Sequence, residues 1–165
     1  MIKNRIFAVL LSVAFGYSAL GQSITDCKPS ELKDTCKFYL NLPQDNGHPY
    51  HYDCANVVVV KFIRKEQVKE VEIPMFSGEA YIFIINSYNL APGVKIDIYN
   101  KPESDQKREN LFSCKSTDGK KINIFEPKKK LRDKIYIDYT IDAHPSVKDD
   151  APESGGCGML VVGYK

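Results

Sequence analysis

The chain has 165 residues, with 23 Lys and Arg against 21 Asp and Glu, five cysteines, three histidines, ten tyrosines and no tryptophan. Two of the basic residues, Lys3 and Arg5, stand at the extreme N-terminus. Without them the charges balance at 21 each, which excludes the bulk cationic character that nucleic-acid or anionic-membrane binding draws on.

The first element is an export signal. Lys3 and Arg5 form a positive n-region and Ile6 to Phe15 an apolar h-region, shorter than the roughly 20 residues a bilayer span needs. Ala19 and Gly21 are the small residues a signal peptidase accepts, so residues 1–21 are expected to be removed before Gln22. Bacterial lipidation would need a Cys directly after the small residues, but the first is Cys27. The expectation is a secreted or periplasmic protein with no membrane insertion after cleavage. Residues 22–54 form an N-terminal helix and Cys-containing segment, and residues 55–165 a β-sandwich, together one domain.

After Gln22 comes the single helical pattern. Asp26 or Ser30 can cap it, Pro29 suits a first turn, and Leu32, Cys36, Tyr39 and Leu40 recur at three- and four-residue spacing. Pro43 and Asn46-Gly47 end it. From Ala55 the period becomes two. Strands are predicted over Val57–Phe62, Val68–Ile73, Tyr81–Ile85, Val94–Tyr99, Leu111–Cys114, Ile122–Phe125, Ile135–Ile141 and Met159–Val162. The Tyr81 strand is apolar on both faces and is therefore placed centrally. Turn signals separate the strands at Ser77-Gly78, Pro92-Gly93, Asp118-Gly119, Glu126-Pro127 and Gly155-Gly156. Asn100–Asn110 and Asp142–Ser154 read as exposed loops, the second long enough to be mobile, and Lys128-Lys129-Lys130 reads as a solvated turn. Many short strands at this spacing predict an all-β, antiparallel sandwich with one short N-terminal helix.

Cys27, Cys36, Cys54, Cys114 and Cys157 are the disulfide candidates in an oxidising compartment. Two bridges plus one free thiol can be arranged in 15 ways. The preferred arrangement joins Cys36 to Cys54, with a second bridge drawn from Cys27, Cys114 and Cys157. No C-x-x-C spacing supports a redox dithiol or a zinc ribbon.

The run from Val71 to Tyr99, with Phe76-Ser77-Gly78 and Val94-Lys95-Ile96-Asp97-Ile98-Tyr99, resembles the core of bacterial pre-peptidase C-terminal domains. Phe125-Glu126-Pro127, the Tyr136 strand and the closing Gly163-Tyr164-Lys165 fit the same layout over residues 68–165. The chain is also similar to small exported bacterial-envelope proteins that carry such a domain alone. The resemblance implies a jelly-roll sandwich and an accessory role rather than chemistry. The chain departs from it in its N-terminal helix, its extra cysteines and the lack of an attached catalytic domain.

Catalytic and metal sets are poorly encoded. His48 and His51, with Asp53 or Cys54, have ligand-bearing side chains, but Pro49 prevents the helix that would make the imidazoles converge. His144 has no recognisable partner. Ser77, Ser87 and Ser104 lack a G-x-S-x-G context. Asp97 and Asp138 stand mid-strand, where projection to solvent or bonding to backbone is the ordinary expectation. By the same resemblance Asp97 falls where related modules sometimes have an acidic residue near calcium, but no D-x-D-x-D loop accompanies it here. No Gly-rich phosphate loop is present, so no cofactor is expected. Tyr50, Tyr52, Tyr88 and Tyr99 lie at loops or on polar strand faces and make the expected binding surface, since exposed tyrosines stack on sugars and peptides. The expected function is a non-enzymatic, exported module that binds protein or glycan. A small secreted hydrolase or thiol enzyme and a purely structural envelope component are the alternatives.

Overall fold

The computed structural model describes residues 27–42, 49–129, 131, 133–144 and 155–165. The export segment, Asp26, Pro43, Asn46-Gly47, His48, Lys130 and most of the loop that ends at Ser154 lie outside the described residues.

The order is α1 (Pro29–Leu40), β1 (His51–Lys61), β2 (Gln67–Pro74), β3 (Tyr81–Leu90), β4 (Val94–Tyr99), β5 (Asn110–Lys115), β6 (Ile122–Phe125), β7 (Lys134–Ile141) and β8 (Gly155–Tyr164). The strands make two antiparallel four-stranded sheets, β1-β8-β3-β6 and β2-β7-β4-β5. Chain neighbours fall in opposite sheets, except for the β4–β5 hairpin, and this is the winding of a jelly roll. β3 lies inside its sheet, as its two apolar faces require. Tyr81, Phe83 and Ile85 enter the inter-sheet core with Ile96, Ile98, Ile137 and Leu160. Ile82 and Ile84 face the other way and are covered by α1.

The helix exists because that outer face needs a cover. Leu32, Cys36 and Leu40 form its buried stripe and pack on Ile82, Ile84, Met159 and Val161. Each fully buried leucine contributes about 2 kcal/mol. Pro29 occupies the first turn, as expected. The capping expectation is corrected: Lys28 holds the N-cap position without a side-chain bond, and Ser30 lies inside the helix. Gly163 lets the helix end come close, since a Cβ there would lie 2.4 Å from Leu40 Cδ1 and 2.9 Å from the His51 carbonyl oxygen.

Two strand limits differ from expectation. β1 begins at His51, so residues 51–54 belong to the sheet rather than to the N-terminal segment. β8 begins at Gly155, where a turn was predicted. The cause is a close backbone approach opposite an irregularity in β3 between Asn86 and Asn89. A Cβ on Gly156 would lie 2.0 Å from the Asn89 carbonyl oxygen, so this strand needs glycine for closeness rather than for turning.

The cysteines meet one part of the expectation and correct the other: a bridge does form within the set Cys27, Cys114 and Cys157, but Cys36 and Cys54 are not joined. Cys27 is bonded to Cys157 across 130 residues, while Cys36, Cys54 and Cys114 are free. Cys36 packs in the layer between α1 and the sheet, whereas Cys54 packs against the inter-sheet core. The preferred Cys36–Cys54 bridge would have to pass through the sheet. A disulfide is the link expected of an oxidising compartment. Among the described residues no helix is long and apolar enough to cross a membrane.

Candidate binding groove

The residues singled out from sequence disperse. Tyr50 is 5% exposed, its hydroxyl donating to Glu126 Oε2 at 3.1 Å and its ring lying 4.1 Å below Lys165 Nζ. Tyr99 lies beneath the Arg108 guanidinium at 3.9 Å. Tyr52 and Tyr88 are exposed, but on opposite flanks of α1. Tyr52 pairs with Gly163 and carries Lys33 and Lys37 over its ring, whereas Tyr88 stands beside Leu32 and Ile122. The four tyrosines therefore do not form one surface, because two are consumed by packing and two are divided by the helix.

The acids are a second correction. Asp97 and Asp138 are cross-strand partners on β4 and β7, each 2% exposed. The outer face of their sheet should be wet, but the β4–β5 loop (100–109) folds back across it. Arg108 reaches Asp138 Oδ2 at 2.6 Å, and the Glu103 backbone N–H donates to Glu70 Oε2 at 2.6 Å. Asp97 accepts from Lys95 at 2.9 Å, from Asn110 at 3.0 Å and from the Ser113 hydroxyl. Bonding to Asp97 raises the Lys95 ammonium above its usual range. Arg108 ties the loop to Asp138, whereas Asp97 is held within the sheet by Lys95, Asn110 and Ser113 of β4 and β5. Both carboxylates are sealed from substrate and cannot work as a hydrolytic pair.

The remaining chemistry is equally committed. Burial pushes the Cys36 and Cys114 thiols up to about 12, and burial with Asp53 nearby raises Cys54. None is the thiolate a thiol enzyme requires at neutral pH. His144 donates its backbone N–H to Ile63 O at 2.9 Å and stacks on Phe62 at 3.8 Å, so it does have a partner. The Ser87 hydroxyl donates to Lys121 O, and Ser77 and Ser104 are exposed. The described residues contain no group of three or more His, Cys, Asp or Glu placed to hold a metal.

What the fold does build is a groove where β5 and β6, the edge strands of the two sheets, come together. Phe112 of β5 and Phe125 of β6 stack at 5.2 Å and close the sandwich there. The β6–β7 connection turns back at Asp133, whose φ of 59° is one that aspartate tolerates better than most residues, and its carbonyl accepts the Met75 N–H at 2.7 Å. This return lays Leu131 against the core beside Leu111. Two hollows of about 510 and 470 Å³ result, meeting at Glu109, Leu111, Lys129 and Leu131. One extends towards Tyr136 over the outer face, the other towards Phe125 along the β6 edge. Both are within the size range of ligand sites.

The rim is charged. Lys101 pairs with Asp105 at 3.0 Å and Lys134 with Glu72 at 2.6 Å, the second pair drawing the Glu72 carboxyl below its usual range. Lys128 and Lys129 are exposed and have no ion-pair partner among the described residues. Sequence reasoning took this lysine run for a solvated turn and missed Leu111, Phe125 and Leu131. The available signal was Leu131, a lone apolar residue inside Lys128-Lys129-Lys130-Leu131-Arg132-Asp133-Lys134.

Set against models of known protein families the chain matches none, and no curated protein matches it.

Proposed function

We propose that this chain is an exported, non-enzymatic β-sandwich module that binds protein or glycan at the cell envelope or outside the cell, through the groove between β5 and β6. The observation that carries the reading is the pair of adjoining hollows with an apolar floor at Leu111, Phe125 and Leu131 and with Lys128 and Lys129, which have no ion-pair partner among the described residues, on the rim. The Cys27–Cys157 bridge supports export to the periplasm or exterior, and the jelly-roll winding agrees with the accessory role that the pre-peptidase resemblance implies. The raised thiols and the sealed carboxylates weigh against the hydrolase and thiol-enzyme alternatives.

The test is amide chemical-shift mapping on isotope-labelled protein against mixtures of short peptides and oligosaccharides. Binding should concentrate its shifts at residues 109–112, 124–129 and 131. Shifts confined to the Tyr88 flank, or turnover of any member of the mixtures, would overturn the reading.

A further inference from the structure

Resting on that groove, the inference concerns what fills it. The floor and the rim make different demands. Leu111, Phe125 and Leu131 are partly buried and packed against the core, so their outward surfaces are apolar and favour apolar side chains. Lys128 and Lys129 stand above them as exposed cations. They belong to a stretch of sequence, residues 128–134, that carries five basic residues and one acid in a chain of formal net charge +2. An occupant must therefore present apolar groups on one side and negative charge on the other.

The walls narrow the choice further. Among the described residues β5 pairs with no strand but β4 and β6 with none but β3, so each leaves one strand edge unpaired. An extended polypeptide satisfies such an edge by strand addition, and its side chains then alternate between the two faces. A lipid headgroup supplies charge but no backbone ladder. The other pair of edges is less open. Lys69 Nζ donates to Val59 O at 2.6 Å and Gln67 Nε2 to Lys61 O at 3.0 Å, so side chains of β2 occupy edge carbonyls of β1. Three acids, Glu109, Glu126 and Asp133, also line the hollows. Glu126 is engaged by Tyr50, and Glu109 stands at the junction of the hollows, where it would meet a polar backbone group or a basic residue of the segment.

We propose that the groove takes an extended acidic segment of another polypeptide, laid along β5 and β6 with apolar side chains on Leu111, Phe125 and Leu131 and carboxylates against Lys128 and Lys129. The partner is a protein whose exposed strand or tail alternates acidic and apolar residues.

The test uses a fluorescent eight-residue peptide alternating glutamate with valine, and three comparators: lysine in place of glutamate, serine in place of valine, and phosphatidylglycerol vesicles. The acidic peptide should bind about tenfold more tightly than either altered peptide and weaken as salt rises from roughly 0.05 to 0.5 M. Lys128→Glu and Lys129→Glu should each weaken it about fivefold, with the thermal midpoint unchanged because both side chains are exposed. Amide shifts should fall on residues 111, 125 and 131. Equal binding of the serine or lysine peptide at those residues would overturn the acidic occupant while leaving the groove in place. Acidic-peptide shifts that fall on β1 instead would overturn the groove itself. Vesicle binding without peptide binding would assign the lysines to a lipid surface and end the proposal.

Discussion

The Cys27–Cys157 bridge closes almost the whole described chain, and its removal should have a large, calculable effect. The perturbation is the double substitution Cys27→Ala/Cys157→Ala, which leaves α1 free to dock by its apolar stripe alone. A loop closed across 130 residues removes unfolded-state entropy equivalent to about 5 kcal/mol at 25 °C in the chain-entropy model. Measured effects usually fall below that limit, so a loss of about 3–4 kcal/mol is expected. With a urea dependence of about 1.5–2 kcal/mol per molar, the midpoint should fall by about 2 M. Far-ultraviolet circular dichroism in a urea series reads that shift, and thiol titration in denaturant supplies the covalent check. Three of the five cysteines should react before reduction and all five after it. A stability loss below about 1 kcal/mol, or one reactive thiol instead of three, would refute the reasoning.

Three further outcomes follow from packing and charge. Arg108→Met should cost about 3–5 kcal/mol by urea unfolding, because it leaves the Asp138 carboxylate buried without its cation, and adding Asp138→Leu should recover most of that loss. Gly163→Ala should cost about 1–3 kcal/mol and lower the thermal midpoint, since the new methyl group meets Leu40 and the His51 backbone. Stability should also decline at alkaline pH. The Cys36 and Cys114 thiols, near 9.0 in the unfolded chain and raised to about 12 in the fold, hold their protons more tightly in the native state. Their contribution is therefore intact below pH 9.0 and lost as pH rises towards 12, at a limit of about 1.4 kcal/mol per pH unit for each thiol. Urea midpoints across that range should fall less steeply in Cys36→Ala/Cys114→Ala than in the parent protein, and parallel slopes would refute the assignment.

What the chain's own residues determined is what depends on near neighbours. Period-two runs marked eight strands, the double apolar face of Tyr81–Ile85 placed β3 inside a sheet, and the Leu32-Cys36-Leu40 stripe announced a helix with something to cover. These signals are legible because a strand or helix repeats its side-chain direction over a few residues. Tertiary structure decided everything that depends on which elements meet. Gly155-Gly156 carries a turn's composition but serves as strand, since only the approach of β3 reveals why glycine stands there. Tyr50 is buried because Glu126 and Lys165 converge on it from elsewhere in the chain. Asp97 and Asp138 lie 41 residues apart in sequence and become neighbours by register, then disappear under a loop that composition marked as exposed. The cysteine partner of Cys27 was set by where α1 begins on the sheet, and no spacing rule encodes that. The groove belongs to the same class. Leu131 looks like an accident in a basic run until the return at Asp133 brings it beside Leu111, because a concave surface is made by the meeting of segments and not by any one of them.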